Sequence, residues 1–216
     1  MEIKPQKYRC AVVFRTLFFP FTYPELIDSF KRRGYSVPPS PRPLPSGPRV
    51  YVGGHIATKE GCSVEIKDEK QVIASEGRQV ENVIKSFEDI MDITKEDFQV
   101  DLDEDIYYFE LTSELIVKSD ESPIKKIERF MGDKYRVFDE IMGNETSGFT
   151  IRIVPKGLIP SYKIWFDITI EPRVTMAERE YYVNIVYRDE NIDNVLAFTR
   201  EIDLKILSLI SKIGET

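Results

Sequence analysis

Apolar residues fall at Val80, Val83, Ile84, Phe87 and Ile90, which puts them on one stripe of an α-helix. Just before them, Gln71–Ala74 reads as a short strand and Glu76-Gly77 as a turn. The pattern returns 112 residues on. Val183–Lys205 reads as strand, turn at Arg188-Asp189, then a stripe of Ile192, Val195, Leu196, Thr199 and Ile202. Asn82-Val83 falls on Asn194-Val195, Glu81 on Asp193 and Ile90 on Ile202. A recurring strand, turn and helix at one offset points to a unit that occurs twice.

The rest of the chain fits that reading. Tyr8–Phe14 is β-branched and aromatic, as strands are. Thr22–Arg33 reads as a helix with Thr22 as N-cap, Glu25 completing a capping box, Gly34 as the stop and a buried stripe of Leu26, Ile27 and Phe30. Arg49–Thr58 predicts a strand bent at Gly53-Gly54, and Ser63–Ile66 with Gln71–Ala74 a hairpin. The helix Val80–Ile93 closes a first unit at residues 1–97. In the second unit, residues 98–216, Ile106–Val117 predicts a strand and Ser122–Met131 a helix continued by Tyr135–Met142. Phe149–Pro155 predicts another strand, Tyr162–Ile170 and Tyr181–Arg188 a longer hairpin, and Ile192–Ile213 the closing helix. The fold class is therefore α+β: two pseudo-symmetric repeats forming one curved antiparallel sheet, with helices on one face and the other face free.

This order resembles the TATA-box-binding-protein family. The local likeness lies in Val64–Phe87, VEIKDEKQVIASEGRQVENVIKSF, where a hairpin and glycine turn lead into an amphipathic helix. As topology the resemblance covers most of the chain, and as sequence pattern about 25 residues. It implies a concave sheet face that binds the DNA minor groove with Phe wedges and Asn, Val and Thr against base edges. This chain departs from that pattern. Its free face reads as Arg9, Ala11, Val13, Arg15, Tyr51, His55, Glu65, Lys67, Gln71 and Ile73 in the first unit. In the second it reads as Glu110, Thr112, Glu114, Arg152, Val154, Lys163, Trp165, Asp167, Thr169, Glu171, Tyr182, Asn184 and Arg188. Four carboxylates there would repel a phosphate-lined groove, and Asn184 has no symmetric partner, so DNA bending is not carried over.

Charge points the same way. The net charge of −7 is uneven: residues 1–100 hold 15 Lys+Arg against 14 Asp+Glu, and residues 101–216 hold 15 against 23. Nonspecific nucleic-acid affinity rests on cations that neutralise phosphates, so a half at −8 disfavours it. No run reaches the ~18–20 apolar residues of a membrane span, so no membrane association is expected. Two cysteines are too few for a disulfide framework and suit a reducing cytoplasm, although Cys10 and Cys62 could still pair.

Candidate chemistry is sparse. His55 lies near Cys62 in sequence and could activate a thiol, but no orienting Asn or Asp is recognisable. One His and two scattered Cys lack zinc-ligand spacing, and no phosphate-cradling loop or cofactor motif occurs. The acidic run Asp101–Asp105 lacks the glycine turn of a calcium loop and reads as a joint between units. Val37–Pro48 holds six prolines in twelve residues and reads as a stiff extended loop, with a groove-docking ligand as the other reading. Aromatics are more informative: Phe18, Phe19, Phe21 and Tyr23 cluster, while Trp165 and Tyr182 fall on the polar register of their strands. Half-exposed aromatics at such positions either form a partner surface or cover apolar surface beneath a loop, and both readings stand. The expectation is a non-enzymatic binding module. Its surface would be Arg9, Arg15, Tyr51, His55, Arg152, Trp165, Tyr182, Asn184 and Arg188, and its partner a protein or a second copy. A nucleic-acid binder and an enzyme using His55 and Cys62 are the alternatives.

Overall fold

Eight antiparallel strands form one sheet in the computed structural model, which describes residues 1–15, 24–38 and 54–215. The strands are β1 (Glu2–Phe14), β2 (Gly54–Lys59), β3 (Cys62–Lys67), β4 (Val72–Gly77), β5 (Ile106–Lys118), β6 (Ile151–Ile153), β7 (Trp165–Pro172) and β8 (Glu180–Asp189). Their spatial order is β2-β3-β4-β1-β5-β8-β7-β6. The longer helices are α1 (Pro24–Arg32), α2 (Val80–Asp92), α4 (Pro123–Met131) and α6 (Ile192–Gly214). Two single-turn helices, α3 (Leu102–Asp105) and α5 (Asp139–Met142), complete the set. None of the helices among the described residues is long and apolar enough to cross a membrane.

One face of the sheet carries all four longer helices. Tyr8, Cys10, Val12 and Phe14 alternate along β1 and join one core with Leu26 and Phe30 of α1, Val83 and Phe87 of α2, Ile127 of α4 and Ile206 of α6. The alternation is the pleat itself: residues two apart share a face, and helices cover the apolar one. Two tyrosines in this layer find polar partners, while the buried hydroxyls of Ser75 and Tyr181 have none among the described residues. The Tyr8 hydroxyl donates to Asp203 at 2.8 Å, and the Tyr35 hydroxyl donates to Asp89 at 3.0 Å and accepts from the Ser86 hydroxyl at 2.9 Å. Burial, reinforced by Asp203, pushes the Tyr8 hydroxyl well above the usual phenol range.

The two sides of the central β1–β5 pair run in the same register. Tyr8 stands opposite Gly77 and Phe109 opposite Asp189; Cys10 stands opposite Ser75 and Leu111 opposite Tyr187. Cys10 and Leu111, which hold matching places in those two registers, stand opposite each other at the middle of the sheet. The helices follow suit. Val83, Ile84, Phe87 and Ile90 are buried in α2, and Val195, Leu196, Thr199 and Ile202 in α6. Glu88 and Arg200, 112 residues apart, meet across the two helices at 3.4 Å.

Elements differ from expectation in several places, among them the expected helical continuation Tyr135–Met142, which is a 3-10 turn at Gly132–Phe138 followed by the single turn α5. β1 starts at Glu2 rather than Tyr8, because β5 continues to Lys118 and pairs with it. The expected strands Phe149–Pro155 and Tyr162–Ile170 shrink to Ile151–Ile153 and shift to Trp165–Pro172. Asp97–Asp105 is not a plain joint: a π-helical turn spans Ile93–Asp97, and Asp101 caps the α3 turn by accepting from Asp103 and Glu104. The hairpin between β3 and β4 turns through a 3-10 turn at Asp68–Lys70, with Gln71 in the left-handed region at φ 52°. That extra turn residue slips the register by one, so Ile73 faces the helices, not the free side, and Val72 and Ala74 replace Gln71 and Ile73 there.

The β4–α2 joint is tight. A Cβ added at Gly77 would lie 2.9 Å from Cys62 Sγ and 3.2 Å from the Gly61 carbonyl oxygen. Gly77→Ala is expected to destabilise the protein by about 1–3 kcal/mol through overpacking, read as a lower urea midpoint at unchanged m-value.

Candidate sheet-face binding surface

The face without helices is paved with cross-strand ion pairs. Arg9 of β1 reaches across β4 to Glu65 of β3, its Nε donating at 3.1 Å and a terminal nitrogen lying 3.1 Å away. It can cross because Ala74, the β4 residue opposite Glu65, is small. Lys67 adds a second cation to Glu65 at 3.1 Å. Burial raises the Glu65 carboxyl pKa, but the hydrogen bond to Lys67 and the charges of Arg9 and Lys67 outweigh it and hold the pKa below its ordinary value of 4.5. Lys7 and His55 both approach Glu76, at 3.7 Å and 3.6 Å.

Across the centre the pairs continue with signs exchanged. Arg9 stands opposite Glu76 in the first half, and Glu110 opposite Arg188 in the second. Arg188 Nε donates to Glu110 at 2.6 Å, its guanidinium lies 5.0 Å from the Tyr108 ring centre, and it donates to the Pro160 carbonyl at 3.0 Å. Arg152 Nε donates to Asp167 at 2.9 Å. Between these pairs lies an apolar floor of Ala11, Val13, Val72 and Ala74.

The expected surface residues separate into groups. His55, Arg152 and Asn184 are exposed on this face, and Arg188 and Tyr182 are half-buried. Arg15 is exposed just beyond β1, its backbone N–H donating to Asp105 at 2.7 Å. Arg9 lies on the face but is buried at 8% exposure, held by Glu65 rather than free for a partner. Trp165 was expected half-exposed and is not. Its register opposite Arg188 puts it on this face, yet it is 5% exposed. The β6–β7 connection folds back over that end, fixed by Arg188 to Pro160 and by Lys163 to Glu190 at 2.5 Å. Tyr51, the aromatics Phe18, Phe19, Phe21 and Tyr23, and residues 39–48 of the Pro-rich stretch lie outside the described residues.

The structure does not bring His55 and Cys62 together as a catalytic pair. His55 sits on the sheet face beside Glu76, whereas Cys62 points into the helix-side core and is buried. Burial pushes the Cys62 thiol up, away from the reactive thiolate. Cys10 is likewise buried and free, its thiol pushed up to about 12 by burial. Among the described residues, no group of three or more His, Cys, Asp and Glu is placed to hold a metal ion.

Sequence reasoning missed the feature that sets this face apart. Tyr182 stands between two carboxylates, Glu114 and Glu171, and neither has a cation within ion-pair distance among the described residues. The Tyr182 hydroxyl donates to Glu114 at 3.1 Å, and Thr150 donates to Glu171 at 3.2 Å. Burial, then Glu114, raises the Tyr182 hydroxyl above the ordinary phenol value. Lys7 stands opposite Glu114 in the register, but its ammonium goes to Glu76. The other strand carboxylates of this face, Glu2, Glu65, Glu76, Glu110 and Asp167, each have an ion pair, which singles these two out, and pairing is not visible in a sequence. No family model matches the chain, and no curated protein does.

Proposed function

We propose that this protein is a non-enzymatic binding module that works through its helix-free sheet face, and that its partner is a protein presenting basic side chains. The observation that carries this reading is the pair Glu114 and Glu171 around half-buried Tyr182, neither ion-paired among the described residues, on a face whose other strand carboxylates each have a cation. An amphipathic ring between two carboxylates can bury area against a partner while the carboxylates take its Lys or Arg. A basic protein fits this better than a phosphate backbone, because the face's arginines are already committed to carboxylates. Two free, buried thiols fit a reducing cytoplasm.

The same reading includes descent from a duplicated unit with the TATA-box-binding-protein-like arrangement. The strand order outward from β1 and β5, the matched registers and the opposition of Cys10 to Leu111 all support it. The exchange of signs between Arg9–Glu76 and Glu110–Arg188 is what two copies would reach by compensating changes.

Capture from an extract of the source cell tests the binding. Wild-type protein is expected to retain a partner after nuclease treatment. Tyr182→Ala combined with Glu171→Lys is expected to weaken retention by at least about tenfold, a loss of ~1.4 kcal/mol. Retention that vanishes with nuclease and falls steeply with salt would instead favour the nucleic-acid reading. Unchanged retention by the double variant would remove the face from consideration.

A further inference from the structure

A second surface lies away from the sheet face. In the chain after α4, a 3-10 turn at Gly132–Phe138 and α5 contain no buried residue at all. Instead they turn apolar side chains outward: Val137 is 70% exposed, Ile141 79% and Met142 64%, with Phe138 and, at the end of α4, Phe130 also exposed. Val137, Phe138, Ile141 and Met142 follow one another within six residues across the junction of the 3-10 turn and α5 and are all exposed. This is an amphipathic stretch presented in reverse.

The segment is firmly anchored from beneath. Thr146 N–H donates to the Asp139 carboxylate at 2.7 Å, and its hydroxyl contacts the Tyr135 carbonyl at 2.5 Å. Gly148 packs so closely that a Cβ there would lie 2.7 Å from Met131 Cγ and 2.9 Å from the Tyr135 ring. An exposed apolar patch on a pinned segment marks an interaction site.

Charge selects the occupant. Lys134 and Arg136 precede the apolar group, and Asp139 and Glu140 lie within and beside it toward the end. The segment's own dipole favours the opposite placement, carboxylates first and cations last. Arg136 turns back to Asp133 at 3.1 Å and does not pair with Glu140. We propose that this segment is a self-association surface, occupied by the same segment of a second copy running antiparallel about a two-fold axis. In that arrangement Arg136 of each copy meets Glu140 of the other, and Val137, Phe138, Ile141 and Met142 close on their counterparts. A two-fold contact needs only a self-complementary patch, and this one is self-complementary in both charge and apolarity. A buried aromatic covers about 150–250 Å², so five large side chains exposed to this degree offer several hundred Å² per copy. That approaches the ~800 Å² each partner gives a standard interface. An anionic lipid surface is a poorer occupant, since the exposed carboxylates Asp133, Glu140 and Glu145 flank the apolar group.

Sedimentation velocity on the full chain tests this. The mass is expected to rise from 25.1 kDa toward twice that value through the micromolar range. Ile141→Glu, at an exposed site that folding does not need, is expected to weaken association at least about tenfold with unchanged circular dichroism. Arg136→Glu and Glu140→Arg should each weaken it, and the double variant Arg136→Glu/Glu140→Arg should recover it. Tyr182→Ala should leave the mass unchanged, which separates this surface from the sheet face. A single-chain mass throughout the range overturns the proposal, as does a dimer indifferent to Ile141→Glu. So does a monomer that co-sediments with phosphatidylserine vesicles and loses them on Ile141→Glu.

Discussion

Trp165→Ala is expected to destabilise the protein by about 3–5 kcal/mol, the range for deleting a large buried aromatic. For a chain of this length each kcal/mol moves the midpoint by about 2–4 °C, so thermal unfolding followed by circular dichroism should fall by roughly 6–20 °C. The effect is large because Trp165 is enclosed although it lies on the helix-free face. It stands opposite Arg188, whose guanidinium is held between Glu110, the Tyr108 ring and the Pro160 carbonyl. Removing the indole leaves a void under that arrangement and loosens the β6–β7 connection above it. A partner-contact tryptophan left in water would instead cost within about 0.5 kcal/mol on truncation. Since this is the only tryptophan, wild-type emission should be that of a shielded indole, shifting to longer wavelength only as the protein unfolds. A stability loss below 1 kcal/mol with long-wavelength emission in the native protein would mean the ring is exposed.

Trp165 also shows where the sequence could be read and where it could not. Its strand alternates, so its face follows from parity alone; the other second-half face residues paired across β5, β7 and β8 follow the same way. Whether that face is wet at a given point depends on what a loop does, and a loop such as 154–164 carries no period from which its course can be read. The stripes of α1, α2 and α6 were legible because helices on a sheet must bury one side, and Val83, Phe87, Val195 and Ile202 could have no other role. The β3–β4 hairpin misled for a local reason. Lys67-Asp68-Glu69-Lys70 looks like an ordinary polar turn, and nothing in it announces that Gln71 takes a left-handed conformation. One such residue inverts the facing of the strand beyond it, which is why Val72 and Ala74, not Ile73, floor the sheet face.

The candidate surface was legible as an inventory of residues but not as electrostatics. Glu65, Arg9, Glu110 and Arg188 could all be placed on one face from alternation. What distinguishes them from Glu114 and Glu171 is which partner each reaches, and that is settled by side chains crossing neighbouring strands. Arg9 spans β4 only because Ala74 leaves room. The same crossing turns Arg9 from an expected contact residue into part of the scaffold. The face thus divides into a region where ion pairs tie strand neighbours together and a region around Tyr182 where Glu114 and Glu171 have no ion pair among the described residues.

That division makes Glu65→Ala the sharper test of the scaffold. Removing this carboxylate leaves buried Arg9, 8% exposed as a residue, with no counter-charge at 3.1 Å. Breaking a fully buried pair from one side costs ~3–5 kcal/mol. Some solvent reaches Glu65, and the freed Lys67 can turn to water, so about 2–3 kcal/mol is expected here. The double variant Arg9→Met/Glu65→Leu should recover most of that loss, because an apolar pair of similar volume over Ala11, Val72 and Ala74 removes both charges together. The contribution also has a definite pH dependence. The Glu65 carboxyl is held below its ordinary value of 4.5 in the folded protein, so the unfolded chain binds the proton more readily. The pair's stabilisation is therefore complete above that ordinary value and fades as pH falls below it through the lower folded value. Denaturant midpoints of wild type and Glu65→Ala should differ most near neutrality and converge in acid. A gap that stays constant from neutral pH into acid, or a double variant no more stable than Glu65→Ala, would show that the ion pair is not what joins β1 to β3 across β4.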